Sequence, residues 1–339
     1  MDSKAGKGFS GPATGRGPEE AVRARIRSDA RLGRGPGAHE LLFAAMGTRC
    51  RVSFRGGPAP EAVATAVLDW VGGFEGRYSR YVEDSWLSRV NAAAGGDWTP
   101  MDAEAEQLMR LCGQLAYLTH GALDATSLPL TRLWDWRRGR VPTDAEVEAA
   151  RGLVGWRGVE LAPGKIRLSR AGMAIDLGGV GKEYAVDQTI LMLARMGVGS
   201  ALVDYGADIR VMGLPGDGRA AWKIGLEDPA NPGHARVHVV VRDGAVATSG
   251  GYVRGFDAGG RRFGHIVDPR TGRPAANDVL AASVLAPSCT QAGMLSTAIC
   301  VLGAESGRRL LSTTPGVEGC IVTKMGLVES GRFHEHVTA

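Results

Sequence analysis

The chain has 339 residues, 44% hydrophobic and 22% charged, a globular balance that excludes a mostly disordered chain, a collagen and a coiled coil. That length suits about two domains or one large two-lobed one, with a core that needs no disulfide or metal staple. The net charge of +4 lies wholly in residues 1–38, which carry eight Lys or Arg against four acids. The neutral remainder lacks the basic face of a nucleic-acid binder, so no nucleic-acid partner is expected.

Residues 1–38 are rich in Gly and poor in large apolar side chains, and are expected to be a disordered basic extension. Within them EEAVRARIRSDARL could form a fragile basic helix. No apolar run of signal-peptide type follows the basic start, and no stretch reaches the length of a membrane span. Five cysteines without close pairing fit reduced thiols, and a cytoplasmic protein is expected.

The folded body is expected over residues 39–336. Residues 40–55 read as a strand interrupted at Met46-Gly47-Thr48. Residues 58–78 read as a helix, with Val63, Val67, Leu68, Val71 and Phe74 at three- and four-residue spacing. A polar loop with a short helix leads to a helix over 102–119 that carries Leu108, Leu111, Cys112 and Leu115 on one side. Thr143 followed by Glu146 marks a capped helix over 141–151. A hairpin is expected near 158–169, then a strand, Gly turn and helix from Ile175. Strands are expected at 199–212, 221–227, 235–248, 262–268 and 278–286. A helix from Thr290 runs into the start of a second, and 318–336 reads as a closing hairpin. Strands and helices mix without strict alternation, so the fold class is α+β rather than doubly wound.

Three segments could carry chemistry. Asp176-Leu-Gly-Gly-Val-Gly-Lys182 opens a helix, where glycines free the backbone and the helix N-terminus attracts phosphate. It matches neither the Walker loop nor the dinucleotide glycine pattern. By itself it could equally be a tight strand-to-helix turn. Thr248-Ser249-Gly250 precedes His265, which stands before the turn Asp268-Pro-Arg-Thr-Gly272. That histidine could be structural or catalytic. Ser288 and Thr290 could cap the late helix, with Ser296 and Thr297 further in.

In series these segments resemble one family. The matching stretches are Met46-Gly47-Thr48, Tyr78-Ser-Arg-Tyr81 with Asp84-Ser85, Gly121-Ala-Leu-Asp124 and Pro129-Leu-x-x-Leu133-Trp134. They continue as Asp176 to Asp187, Tyr205-Gly-Ala-Asp208-Ile, Ala247-Thr-Ser-Gly250-x-Tyr252 and His265-Ile-Val-Asp268-Pro-x-Thr-Gly272. Last come Ala286-Pro287 and the Ser296-Thr297 helix. The chain resembles the ApbE-type FAD:protein FMN transferases over about residues 41–331.

The resemblance implies a mixed-sheet, two-lobed, T-fold-like domain. It implies FAD as donor substrate, Mg²⁺, and FMN transfer to a Thr or Ser hydroxyl of a target protein with release of AMP. It places Met46, Tyr81, Ala122, Leu123, Asp124, Asp176, Lys182 and Val267 at the flavin site. It places His265 as general base and Gly179, Ser296 and Thr297 at the metal. Tyr81 would offer a ring face, and Asp124 or Asp176 would accept bonds from the adenosine or isoalloxazine end.

The chain departs from the family at the metal. Gly293 stands where the family usually has Asp, and Glu183 where it usually has Gly. Positions 293 and 297 lie one helical turn apart, so a carboxylate at 293 is expected to point where Thr297 points and to suit the fold. Glu183 could face the ion or turn outward; the sequence leaves both open. The alternatives to an active transferase are a flavin-binding protein that has lost the transfer step, and a different reaction on FAD or a related pyrophosphate.

Overall fold

The computed structural model describes residues 17–35, 37–252 and 254–338. Nine helices are seen among them: α1 (Pro18–Asp29), α2 (Pro60–Tyr78), α3 (Trp86–Ala92), α4 (Ala103–Leu118), α5 (Leu128–Leu133), α6 (Asp144–Arg151), α7 (Gly181–Arg195), α8 (Cys289–Leu302) and α9 (Ala304–Thr313). The apolar spacing read from α2 does bury Val63, Val67, Leu68, Val71 and Phe74 on one side. The capping box of α6 forms as its residues dictate: the Glu146 amide donates to Thr143 Oγ1 and the Thr143 amide donates to Glu146 Oε2.

Nine strands make one antiparallel sheet whose spatial order is the chain order. They are Arg31–Gly35, Ala38–Ala45, Thr48–Gly56, Val198–Tyr205, Asp208–Met212, Gly244–Gly250, Val279–Ala286, Glu318–Thr323 and Gly326–Glu329. The expected strand over 199–212 is thus a hairpin turning at Gly206-Ala207, and the one over 235–248 is two strands. Helices α2 to α7 all enter between the third and fourth strands of this sheet. The fold is α+β, with its large sheet antiparallel throughout.

Strand alternation decides what each face covers. Val52, Phe54, Val203 and Tyr205 point to one side and pack with Val67, Phe74, Ile190 and Leu193 of α2 and α7. Leu202, Val211, Val246 and Leu285 point to the other and pack under Trp222, Ile224 and Val239. Those three belong to a smaller sheet of Trp222–Asp228, Asn231–Val241 and Val337–Thr338. The closing segment therefore does more than make a hairpin: after Gly326–Glu329 it crosses over and adds an edge to this second sheet. Helices α8 and α9 cover the far end of the large sheet through Leu295, Ile299 and Leu311. Among the described residues no helix is long and apolar enough to cross a membrane.

The expected disordered extension over 1–38 is corrected for the part that is described. Residues 18–29 form α1, with Val22 and Ile26 buried, and 31–35 form the first strand of the sheet. Residues 1–16 lie outside the described residues. Composition misled because the partner surface supplies what α1 lacks. Gly72, Gly73 and Gly76 give α2 a bare face, and a Cβ at Gly76 would stand 2.6 Å from Glu19 Cα. Ion pairs reinforce the contact, Arg25 reaching Glu75 at 2.8 Å and Arg27 reaching Asp69.

This packing predicts that Gly76→Ala destabilises the protein, against a helix-propensity gain of about 1 kcal/mol. The added methyl meets backbone, so α1 must move, and overpacking typically costs about 1–3 kcal/mol. Urea unfolding checks the sign, and faster tryptic cleavage at Arg23, Arg25 or Arg27 checks that α1 is what lifts.

Candidate active site

Two hairpin turns and a helix N-terminus converge on one deep cavity. Met46-Gly47 joins two strands with φ of 51° and 72°, and Gly206-Ala207 joins two more with φ of 72° and 70°. Both are left-handed pairs of the kind that suits a two-residue antiparallel hairpin. A non-glycine residue held at positive φ stores strain and is commonest at functional sites. The Met46 amide is fixed by Glu75 Oε2 at 2.9 Å. Both turns line a cavity of about 1750 Å³, as does the turn Leu177–Val180 that opens α7. Val22 and Arg25 bring α1 to the same wall.

The floor of the cavity is polar and tightly wired. Lys182, on the first turn of α7, pairs with buried Asp208. Burial alone would lower the Lys182 ammonium, but the Glu183 and Asp208 carboxylates raise it and keep it charged. Asp176 Oδ2 accepts from Arg80 Nε at 2.9 Å, and Oδ1 accepts the Gly178 amide at 3.1 Å. The first of these balances the carboxylate; the second shapes the glycine turn.

One helical turn beyond Glu183, Asp187 joins α7 to α8. Its Oδ1 accepts the Cys289 amide and Arg210 Nη1; its Oδ2 accepts the Thr290 amide and hydroxyl, all between 2.6 and 2.9 Å. It thereby satisfies N-terminal amides of α8 that have no partner within the helix. Ser288 caps the same helix by accepting the Gln291 amide.

That staple sets α7 and α8 side by side, and Glu183 turns inward. It is 4% exposed and lines the cavity. Its side chain fills the space a side chain at 293 would need: a Cβ there would lie 2.4 Å from Glu183 Cγ and 2.9 Å from Oε1. The expectation that Gly293 could simply take a carboxylate is therefore corrected, because that room is already used. Burial and the neighbouring Asp208 push the Glu183 carboxyl up to about 7. Among the described residues its Oε2 has no hydrogen-bond partner.

The remaining expected residues differ in how they meet the cavity. Met46, Ala122, Leu123, Val267, Gly179 and Thr297 line the cavity. Tyr81 stands at its rim, 72% exposed, with the Arg80 guanidinium 4.1 Å from its ring centre. Asp124 also lines the wall, but both its oxygens already serve the protein: Oδ1 accepts the Thr126 amide and hydroxyl, and Oδ2 accepts the Trp156 amide. Its first task is to hold that loop. Ser296 is corrected. It is wholly buried, bonded to Gly293 O and Ser249 Oγ, and is not among the residues of the cavity wall. Ser249 instead bridges it to Thr297, whose Oγ1 lies 2.8 Å from Ser249 Oγ.

His265 is half-buried at the cavity wall, its Nδ1 3.3 Å from Arg254 O. Burial holds its imidazole below the ordinary 6.5. The ring is therefore neutral at physiological pH and able to take a proton. Sequence reasoning did not foresee Arg80, Asp208, Ser249 or Arg254 as participants. Asp208 and Ser249 stood in motifs that had been noticed, but pairing across the sheet is invisible to spacing along the chain. Among the described residues no group of three or more His, Cys, Asp or Glu is arranged to hold a metal.

A helix N-terminus, a neutral histidine and a wired lysine–carboxylate floor around one large cavity define an enzyme site for a phosphate-bearing ligand. The family model of the ApbE family matches residues 46–321. A Treponema pallidum protein named FAD:protein FMN transferase is 35% identical over 320 residues, 88% of this chain and 86% of its own. One of the same name from Vibrio cholerae is 34% identical, covering 68% and 70%. Among solved structures, the ApbE protein of Thermotoga maritima superposes with a TM-score of 0.82 at 30% identity, covering 89% of this chain and 100% of that one. The flavin transferase ApbE of Vibrio cholerae gives 0.79 at 28%, covering 91% and 99%. The chain belongs to the ApbE family.

The Asp187 staple predicts that Asp187→Ala removes about 3–5 kcal/mol, the usual cost of stripping one partner from a buried charged network. Asp187→Asn, which keeps an acceptor for the α8 amides, should lose less. Chemical unfolding of the two variants against the parent gives the ranking; equal losses would show that charge, not hydrogen bonding, fixes α8.

Proposed function

We propose that this chain transfers FMN from FAD to a Thr or Ser hydroxyl of a target protein, with AMP as the leaving group. The observation that carries the reading is the convergence of His265 and the α7 N-terminus on one cavity. The volume is consistent with it: about 1750 Å³ exceeds the roughly 300–1,000 Å³ of sites for one small ligand, leaving space for a segment of the target beside FAD.

The chemistry is attack by the hydroxyl oxygen on the phosphorus of the FMN half of FAD. A new P–O bond forms to the target, and the bond to the bridging pyrophosphate oxygen breaks, releasing AMP. Such a step depends on positioning and charge neutralisation more than on covalent help from the protein. The uncapped start of α7 at Val180 presents main-chain dipoles to the pyrophosphate. Lys182, held by Asp208, adds fixed positive charge there. Tyr81 offers the ring face not covered by Arg80, and Met46 and Val267 supply apolar wall. His265, neutral and near the surface of the cavity, takes the hydroxyl proton.

The residues also fit a hard divalent cation such as Mg²⁺. The wall carries oxygen donors from the Gly179 main chain and Thr297, and the buried Glu183 Oε2 there lacks a hydrogen-bond partner. When bound, Mg²⁺ would neutralise charge on the pyrophosphate. The five free cysteines are all buried, which suits a reducing compartment, and we place the reaction in the cytoplasm.

Incubation with FAD, Mg²⁺ and a candidate target, followed by assay for AMP and protein-bound flavin, tests the reaction; FAD left intact with every candidate would refute it. His265→Ala should lower transfer by about 10²–10⁴-fold, the usual contribution of a general base, with FAD affinity unchanged. Single-turnover transfer by the parent should rise with pH as His265 loses its proton, with a midpoint below 6.5 because burial depresses it, and flatten above. A parallel fall in FAD affinity and transfer would make His265 a shaping residue of the pocket. Tyr81→Ala should weaken FAD binding by about 0.5–1.5 kcal/mol through lost ring stacking, read by flavin fluorescence titration.

A further inference from the structure

Two facing helices leave room for one carboxylate, and in this chain it comes from α7. Glu183 and Asp187 are four residues apart and share a face of that helix. Asp187 grips the start of α8, so the same face of α7 lies against α8 at Glu183 as well. On α8 the facing positions are Thr290, Gly293 and Thr297, spaced three and four apart. Thr290 is bonded to Asp187 at 2.6 Å. Gly293 is filled by the Glu183 side chain. Thr297 reaches the cavity wall that Glu183 and Gly179 share.

The state of Glu183 is unusual for a structural residue. It is 4% exposed, and among the described residues its Oε2 has no hydrogen-bond partner. Buried carboxyl oxygens are nearly always satisfied, because an unsatisfied one carries its full desolvation cost. The neighbouring Lys182 acts on Glu183 through charge but gives its hydrogen bond to Asp208. The residue nevertheless lines the cavity proposed to take the pyrophosphate, where a lone carboxylate would repel the ligand. A cation resolves both conflicts.

We propose that Glu183 is the carboxylate ligand of the divalent cation in this chain, reaching across Gly293 toward the wall formed by the Gly179 main chain and Thr297. The assignment rests on the reading that the site uses a divalent cation. It also explains the pair of departures in the sequence as one exchange. A side chain at 293 and the glutamate at 183 compete for the same space, so gaining a carboxylate on α7 requires a glycine on α8.

Mn²⁺ serves as the probe, titrated into the FAD-saturated full chain with free Mn²⁺ read by electron paramagnetic resonance and Mg²⁺ added as competitor. FAD affinity is measured separately in chelator, and thermal unfolding checks that each variant is folded. The parent should take up Mn²⁺ that Mg²⁺ displaces. Glu183→Gln keeps shape and hydrogen-bonding ability but not charge. It should weaken Mn²⁺ binding by at least about tenfold, a loss that even supporting groups cause at metal sites, while FAD affinity in chelator stays at or above the parent's, because the charge that repels the pyrophosphate is gone. Glu183→Gly combined with Gly293→Asp, which returns a carboxylate from α8, should recover most of the binding, whereas Gly293→Asp alone should not improve it. Glu183→Gln binding Mn²⁺ as the parent does would overturn the assignment while leaving the cation reading intact. A parent that takes up no Mn²⁺ with FAD bound would overturn both. Metal binding that follows Glu183 in a protein that never releases AMP would uphold the assignment and refute the transferase reading. Should the double variant fail to fold, Glu183→Gln decides alone.

Discussion

Asp187 is the constraint on which the site depends. It is a buried carboxylate whose hydrogen bonds reach the first two residues of α8 and an arginine from the central sheet. These bonds do in one place what a helix usually obtains from a local cap, and they do it from a different helix. The start of α8 is thereby fixed relative to α7, and α7 in turn begins at the glycine turn that faces the cavity. Every residue considered for phosphate, proton or metal chemistry on these two helices takes its position from that junction. Arg210 ties the junction to the strand Asp208–Met212, and two residues before it Asp208 holds Lys182. Sheet, helix pair and cavity floor are one network.

The fold places its helices by leaving side chains out. Along α2, three glycines let α1 approach until a Cβ would strike backbone. Along α8, Gly293 lets a side chain from α7 enter instead. All four glycines sit inside helices, where the residue costs about 1 kcal/mol relative to alanine, so each local choice works against helix propensity in favour of a tertiary contact. The outcomes differ. At Gly76 the vacated space is filled by chain and makes a wall; at Gly293 it is filled by a carboxyl group and makes chemistry.

Much of this was legible in the sequence, for identifiable reasons. Helices α2 and α4 declare themselves through apolar spacing and α6 through its capping box, while Met46-Gly47 shows as a break in a strand that the structure makes the turn of a hairpin. Most of the motifs that resembled one family send residues to one cavity, although they are spread from Met46 to Thr297; Asp84-Ser85 and Ala286-Pro287 do not. What could not be read was what lies opposite a given face. Spacing shows that 293 and 297 share a side of α8, but not that Glu183 already occupies that side. It offers Ser296 and Thr297 as equal hydroxyls, whereas one faces the cavity and the other is sealed beneath it by Ser249. It counts Asp124 as a ligand-facing acid, although the loop to Trp156 claims both its oxygens. Helix α1 failed for a similar reason. A basic, glycine-rich segment cannot fold by itself, but a bare face on α2 and the acids Asp69 and Glu75 give it somewhere to go.

Charge at the cavity floor then couples the two ligands proposed for it. Arg80 is paired with Asp176 and Lys182 with Asp208, so the Lys182 charge that acts on Glu183 is shared with a second carboxylate. Where Glu183 is ionised, a pyrophosphate arriving beside it would meet repulsion of about 4 kcal/mol for unit charges 4 Å apart at an effective dielectric of 20. With a divalent cation between them the same geometry becomes attractive on both sides. On the proposed assignment, cation and pyrophosphate therefore bind with positive coupling, each raising the affinity of the other by the same factor. The glutamate that makes the empty floor inhospitable is what makes the loaded floor selective: it admits a pyrophosphate that comes with its cation and disfavours one that comes without.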